Sequence, residues 1–404
     1  MIDDFSQVEA AIAAIAAGEM VIVLDDEDRE NEGDFICSAA KCTPEMVNFM
    51  ITKGRGMLCV PMLPANGQRL QLEPLKSTGP ARALTTAFTV AVDHYSVHTG
   101  ITAEERCATI HGLADAGSLP DHFVTPGHVH PLIAKEGGVL RRAGHTEAAV
   151  DLMRLAGEEP VGVLIEILNE SGGRANNQEL SAMADEHNLV MITIEQLIRY
   201  RRRSEQLVHR IGEADLPTKR GKFRIIGYGV KYEAQEPVAL VMGDLSSTES
   251  PLVRMHSSCF TGDLIESLRC DCGDQLSMAL DMISKEGCGV LVYLPQEGRG
   301  IGLAEKIKAY ALQDEGLDTV QANLALGYKA DPRDYGVGIQ ILKDLGLSKV
   351  RLMTNNPKKT DAFIYGGFEL EADQVPIMPQ VNEHNARYLK TKREKMGHRL
   401  PDAE

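Results

Sequence analysis

The chain holds 8 cysteines, and three of them, Cys259, Cys270 and Cys272, fall within the stretch "CFTGDLIESLRCDC". Thiolates are soft ligands that suit Zn²⁺, and a C-x-C pair can bind from adjacent positions of a tight turn. A disulfide and a set of inert core thiols are the competing readings. Three protein ligands leave one position for water, which is how catalytic zinc is built. The metal lowers the pKa of that water from ~15.7 to roughly 7. With His256 as a fourth ligand the site is structural instead.

The surroundings point towards a phosphorylated substrate. "QEGRGIGLAEK" (296–306) is a Gly-rich turn that opens a helix, with Arg299 at its start. Such a turn offers N–H groups and a favourable dipole to phosphate, and arginine adds a bidentate clamp. "RMHSSC" sets Arg254 just before the thiols, and "TNNPKK" sets Thr354, Lys358 and Lys359 after a predicted strand. A basic pocket beside a hydrolytic zinc suggests a nucleotide.

The first half carries a different chemistry. "DDEDRENEGD" (25–34) packs carboxylates around Arg29, Asn31 and Gly33, directly after an apolar strand. Crowded carboxylates repel, so the run is either a solvated turn or a seat for Mg²⁺ or Mn²⁺, which favour oxygen ligands. "GGVLRRAGHTEAAVDL" (137–152) supplies Arg141, Arg142 and His145 before a helix, a combination that fits a sugar phosphate. Glu166 interrupts the apolar strand "GVLIEIL", where burial would raise its pKa and make it a general base. His128 stands in the turn of "TPGHVHPL".

Residues 206–404 resemble GTP cyclohydrolase II through "RMHSSCFTGDLIESLRCDCGDQ", "QEGRGIGL", "ADPRDYGVG" and "TNNPKK" in that order. The resemblance implies that Cys259, Cys270 and Cys272 hold zinc, which activates the water that attacks C8 of guanine and releases formate. It implies GTP contacts from Arg254, Met255, His256, Ser257, Ser258, Gln275, Glu297, Gly298, Arg299, Thr319, Thr354 and Lys359. Asp331 would accept a proton, and Arg333 would attack the α-phosphate and release pyrophosphate. In two places the sequence departs from the family pattern, with Ser258 where Glu is usual and Pro295 where Arg is usual. These departures raise the alternative of an impaired cyclohydrolase half.

Residues 1–201 are similar to 3,4-dihydroxy-2-butanone 4-phosphate synthase through "DEDRENEGD", "TAFTVAVD", "TGIT", "PGHVHPL" and "RRAGHTEAAVDLMRLAG". Here the resemblance implies D-ribulose 5-phosphate as substrate, with L-3,4-dihydroxy-2-butanone 4-phosphate and formate as products. Glu30 and His145 would hold Mg²⁺ or Mn²⁺. Arg29, Glu30, Asp34, Arg142, Ala143, Gly144, His145, Thr146 and Glu166 would contact the sugar, with His128 and Glu166 as essential groups. Thr125 stands where a basic residue is expected, and Cys59 reads as a core thiol near the site. Joined, the halves resemble the bifunctional riboflavin-biosynthesis family, for which a homodimer is expected.

These residues need a scaffold. Mixed strands and helices in both halves indicate an α/β (α+β-like) class, as two independent domains joined by a short basic linker near "YRRRSEQLVHR". A first helix is predicted from the capping box Ser6/Glu9 and the spacing of Val8, Ile12 and Ile15, with Gly18 as its stop. Strands are predicted at 162–168, 189–198, 237–245 and 288–296. A helix is predicted after residue 300, with Ile301, Ala304, Ile307, Lys308 and Ala311 at helical spacing. The net charge of -16 over 404 residues argues against binding nucleic acid by phosphate neutralisation. No apolar run approaches ~18 residues, so no membrane span is expected. With no secretory pattern at the N-terminus, the expected compartment is the cytoplasm, where disulfides are rare.

Overall fold

The computed structural model describes residues 5–26, 29–76, 86–328, 335–356, 359, 370–379 and 381–397. The chain divides into two compact units, Asp4–Arg201 and Arg202–Glu404.

The first unit is a seven-stranded mixed sheet with helices on both faces. Its strands are β1 (Val21–Leu24), β2 (Gly33–Ser38), β3 (Cys59–Met62), β4 (Val92–His94), β5 (Phe123–Ile133), β6 (Gly162–Glu166) and β7 (Val190–Thr193), in the order β4-β5-β3-β6-β2-β1-β7. β1 and β2 are buried along their whole length because both faces are covered; β1 reads as an unbroken apolar run, whereas β2 carries Asp34 and Ser38. Ile36, Cys59, Leu132 and Leu164 pack under the helix His145–Leu155, against Ala148, Ala149 and Leu152. On the opposite face Phe35, Val60, Val163 and Ile165 meet Cys107, Ile110 and Leu113 of the helix Ala103–Ala114. Each fully buried Leu or Ile is worth about 1.5–3 kcal/mol.

The second unit repeats the plan with a different topology. β8 (Val208–Thr218), β9 (Gly221–Val230), β10 (Val238–Met242), β11 (Leu252–Ser257), β12 (Gly289–Leu294), β13 (Lys349–Met353) and β14 (Glu371–Val375) take the order β14-β13-β11-β12-β10-β9-β8. β12, β11, β13 and β14 run parallel and the rest antiparallel. The helices Cys272–Glu286 and Gly336–Asp344 cover opposite faces.

Three local expectations are corrected. Ser6 begins the first helix instead of capping it; the N-cap is Phe5, with no side-chain cap bond, while Gly18 closes the helix at φ 84° as expected. The stretch 189–198 is a strand only to Thr193, and a helix then runs from Ile194 to Ser204. That helix takes in the start of the expected linker. Arg201 is 1% exposed and donates to Asp151 Oδ2 and to the Gly137 carbonyl, both at 2.7 Å. The third concerns the helix Leu303–Asp314, which buries Lys306 and Ala309, while Ala304, Ile307, Lys308 and Ala311 face solvent.

Candidate active sites

β1 ends at Leu24, and Asp25 organises the turn that leads to β2. Its Oδ1 accepts the Glu32 N–H at 2.8 Å, and its Oδ2 accepts the Glu30 N–H at 3.2 Å and the Arg29 guanidinium at 2.7 Å. Arg29 also pairs with Glu30. The turn thereby brings Asp25 and Glu30 against His145, the first residue of the helix His145–Leu155. Potential ligand atoms of these three residues lie within 4.8 Å of one another. The buried His145 ring donates through Nε2 to the Val23 carbonyl at 3.1 Å, which leaves Nδ1 as the lone-pair nitrogen. Burial pulls its pKa down to about 4, so the ring is neutral at pH 7. Two carboxylates and a neutral imidazole are donors that fit a hard divalent cation. Sequence reasoning named Glu30 and His145 and missed Asp25, one acid among many in its run.

Pairing across the sheet extends the cluster. Asp34 of β2 faces Glu166 of β6 in register. Burial, then the Glu166 charge, pushes the Asp34 carboxyl well above the usual carboxylate range. Its Oδ1 is buried without a hydrogen-bond partner among the described residues, as expected of an atom awaiting a proton or a cation. The fully buried carboxyl is thus Asp34, whereas Glu166 is half-buried and accepts the Met57 N–H at 2.7 Å. Gly56 makes that approach possible, since a Cβ there would stand 2.4 Å from Glu166 Oε2.

The two guanidiniums that converge are Arg29 and Arg142, not the adjacent pair Arg141 and Arg142. A Cβ on Gly144 would meet Arg142 Nη1 at 2.3 Å and Arg29 Nη2 at 3.0 Å, while Arg141 and Ala143 are exposed. Arg142 is braced by Glu147 at 2.6 Å and Thr86 at 3.1 Å. His128 is exposed and its Nδ1 pairs with Asp93 at 2.8 Å. Cys59 of β3 pairs with both His130 of β5 and Leu164 of β6, so the strands that carry His128 and Glu166 flank β3. Cys59 is a buried core thiol whose pKa is raised by burial first and then by Glu166 and Asp34. Thr146 is buried and Thr125 exposed.

In the second unit the site forms at the carboxyl ends of three neighbouring parallel strands, the usual ligand position in such sheets. β11 delivers Ser257 to Cys259, β12 delivers Gln296 to Arg299, and β13 delivers Thr354 to Asn356. Cys259 Sγ and Cys270 Sγ stand 3.7 Å apart, and the three thiol sulfurs lie within 4.8 Å of one another. Tetrahedral zinc with ~2.3 Å bonds to sulfur requires sulfur separations of about 3.8 Å, so the spacing fits zinc and is far from a disulfide. Gly262 sits among the thiols; a Cβ there would be 3.0 Å from Cys270 Sγ and 3.2 Å from Cys259 Sγ. The bond from Cys270 and that from Cys272 favour ionisation at Cys259, whose pKa is lowered, while Cys270 is pushed up to about 11, chiefly by its bond to Cys259.

His256 does not join the thiol cluster. Its Nε2 faces Asp263 Oδ1 at 3.0 Å, its ring stacks on Tyr293, and the potential metal cluster among the described residues of the second unit consists of the three cysteines. Asp263 also accepts from the Cys259 N–H at 2.9 Å and from Tyr293 Oη at 3.0 Å, so it fixes the start of the cysteine loop. Two pockets meet at Ser257, Cys272 and Tyr388. One holds the thiols with Ser258, Gly298, Arg299 and Thr319. The other is cationic, with Arg254, Lys359 and Lys392 beside His256, Gln275 and Thr354. Arg254 is anchored on the Met353 carbonyl at 2.7 Å, Lys359 on the Met255 carbonyl at 2.6 Å and Lys392 on Asp271 at 2.8 Å. His256 Nδ1 and Asn323 Nδ2, one in each pocket, are buried with no hydrogen-bond partner among the described residues.

The Met255 side chain lies in the apolar core cluster with Val253 and Leu294, and its carbonyl accepts from Lys359 in the site. Glu297 binds Lys306 Nζ at 2.7 Å and the Phe260 N–H at 2.6 Å and is not among the residues that line either pocket. Lys306, Asp263, Asp271, Tyr388 and Lys392 were missed. Asp263 and Asp271 had a signal, since both lie inside the cysteine motif. Asp331, Arg333 and Lys358 lie outside the described residues.

Comparison with known proteins assigns both halves. The family model for 3,4-dihydroxy-2-butanone 4-phosphate synthase matches residues 9–200, and that for GTP cyclohydrolase II matches residues 209–376. Riboflavin biosynthesis proteins RibBA of Bacillus mycoides (strain KBAB4) and Bacillus cereus (strain ATCC 14579) are each 54% identical over 397 residues, 98% of this chain and 99% of theirs. The crystal structure of RibBX, a two domain 3,4-dihydroxy-2-butanone 4-phosphate synthase from A. baumannii, superposes with a TM-score of 0.67 at 35% identity, over 86% of this chain and 93% of that one. Nothing in these matches favours an impaired second half. The chain belongs to the bifunctional riboflavin-biosynthesis family that joins a 3,4-dihydroxy-2-butanone 4-phosphate synthase, a lyase, to a GTP cyclohydrolase II, a hydrolase.

Proposed function

We propose that residues 1–201 convert D-ribulose 5-phosphate to L-3,4-dihydroxy-2-butanone 4-phosphate and formate, on the site built from Asp25, Glu30, Asp34, His145 and Glu166. Arg29, Arg142 and the N-terminus of the helix His145–Leu155 receive an anionic group, supported by their convergence over Gly144. Asp25, Glu30 and His145 would hold Mg²⁺ or Mn²⁺, which when bound would supply an electrophile for the sugar oxygens. Glu166, steadied by the Met57 N–H, takes the carbon-bound proton, and the buried carboxyl of Asp34 returns one to a leaving hydroxyl. His128, with Asp93 as its partner, serves as the second proton-transfer group.

Residues 206–404, in the same proposal, act on GTP. Arg254, Lys359 and Lys392 take the phosphate chain, and Ser257, Ser258 and Thr319 line the pocket for the base. Cys259, Cys270 and Cys272 would hold zinc, which when bound would supply an activated water for ring opening. Asp331 and Arg333 take the proton-acceptor and nucleophile roles that the family resemblance implies. The products are formate, pyrophosphate and 2,5-diamino-6-(5-phosphoribosylamino)pyrimidin-4(3H)-one. The cytoplasm is the compartment we assign, because a three-thiolate site needs reducing conditions. A homodimer is supported by the exposed apolar residues Tyr95, Leu119 and Val124 next to the edge strand β4 and on β5.

The observation that carries the proposal is the presence in one chain of a hard-donor cluster and a three-thiol cluster, the first beside converging arginines and the second beside a cationic pocket. Formate release measured separately from ribulose 5-phosphate and from GTP, with metal content, tests it. Both substrates should yield formate; a chain silent on either one contradicts that half of the reading.

A further inference from the structure

The helix Leu303–Asp314 turns a lysine inward where the neighbouring Ile307 faces out. Lys306 is 8% exposed, and Ile307 beside it is 57% exposed. A buried ammonium is costly unless it is paired and hydrogen-bonded. Lys306 meets that demand with two partners. Its Nζ donates to Glu297 Oε1 at 2.7 Å and to Cys259 Sγ at 3.1 Å. It also lies 5.6 Å from the centre of the Tyr310 ring. Glu297 in turn accepts the N–H of Phe260, the residue after Cys259, at 2.6 Å. Gly298, at φ 61°, lets the loop close over the lysine, since a Cβ there would lie 3.1 Å from Lys306 Cβ. The circuit Cys259–Lys306–Glu297–Phe260 closes on itself and grips one thiol of the three.

That thiol is singled out. Cys259 Sγ accepts from Lys306 Nζ and also from the Gly262 N–H at 3.3 Å. Hydrogen bonds to a metal-bound thiolate draw electron density from sulfur and tune the metal it holds. We infer that Lys306 is a positioning residue of the thiol centre: its N–H···S bond, held in place by Glu297, orients Cys259 and keeps that sulfur the weakest electron donor of the three towards bound zinc. This rests on zinc occupying Cys259, Cys270 and Cys272.

The test uses the full chain with Lys306→Met and Lys306→Arg. Chelator competition reads zinc retention, and cobalt substitution reads the sulfur-to-metal charge-transfer band directly. Formate release from ribulose 5-phosphate reports that the other unit is intact, and a thermal melt reports the second unit. Lys306→Met should give up zinc about 10- to 100-fold more readily and move the band to longer wavelength. Lys306→Arg keeps a cation and its N–H donors and should hold the parent band. A folded Lys306→Met with parental zinc retention and an unmoved band overturns the inference. If Lys306→Met does not fold, Lys306→Arg decides: a parental band supports the role, and a shifted band with lost zinc refutes it. A parent chain that binds no zinc refutes the zinc reading itself, an outcome separate from the failure of Lys306.

Discussion

The two sites solve one problem, holding concentrated negative charge, in opposite ways. In the first unit carboxylates crowd where the β1–β2 hairpin opens, and their charge is shared with Arg29 and with a carboxyl, Asp34, that resists ionisation. In the second unit three thiols cluster at the carboxyl ends of parallel strands, and a buried lysine donates to one of them. The first site sets the loop after β1 against the start of the helix His145–Leu155; the second sets the loop after β11 against the start of the helix Cys272–Glu286. Oxygen donors tolerate a proton in place of a metal, whereas closely packed thiols are poised for a soft cation. Each site should therefore fail by its own route and leave its neighbour working.

The largest separation should come from Cys270→Ser. It should abolish zinc binding and lower formate release from GTP by roughly a thousandfold or more, while release from ribulose 5-phosphate stays at the parent level. Glu30→Gln should do the reverse, read in the same pair of assays.

Arg201→Ala comes next. It strands Asp151, a buried carboxylate whose Oδ2 also accepts the Val139 N–H in the turn before Arg142. Breaking a buried pair on one side costs about 3–5 kcal/mol, so denaturant melts should show the first unit weakened and the second unchanged. Cutting the chain before Arg201, at the start of the expected linker, should carry the same penalty.

Acid sharpens the contrast. In the metal-free chain the pKa of His145 is about 4 folded against an ordinary 6.5 unfolded. Between those values the unfolded chain binds the extra proton, so stability is full above pH 6.5 and falls as the pH drops towards 4. The shift corresponds to roughly 3 kcal/mol in the first unit, visible as a pH-dependent denaturation midpoint. His145→Gln should flatten that part of the curve.

The smallest effect expected is that of Gly56→Ala, which pushes against Glu166 Oε2. It should lower kcat/KM for ribulose 5-phosphate about tenfold, some 1.4 kcal/mol, with zinc content and GTP turnover untouched.

What the sequence made legible follows the same divide. The thiol trio, the acidic run and the RRAGH turn stand out because their chemistry is concentrated in short stretches. Partners supplied from elsewhere in the chain do not. Arg201 reads as a linker residue and is among the most buried side chains of the first unit. Lys306 reads as the polar side of a helix, because apolar spacing favours the face with Ile307; only the thiol and Glu297, distant in sequence, explain the reversal. Asp25 differs from its acidic neighbours solely by the three donors it accepts. His256 sits close in sequence to the cysteines, yet Asp263 claims its ring nitrogen. The sheet class was readable from apolar runs, whereas the switch from strand to helix at Ile194 was not, since "VMITIEQLI" is apolar enough for either.

The most direct test is to strip zinc progressively with a thiol-competing chelator in saturating Mg²⁺ and follow formate from each substrate. The account predicts that GTP-derived formate declines in proportion to zinc lost, while pentulose-derived formate holds constant throughout. Parallel loss of both activities, or GTP turnover that survives in zinc-free protein, would contradict it.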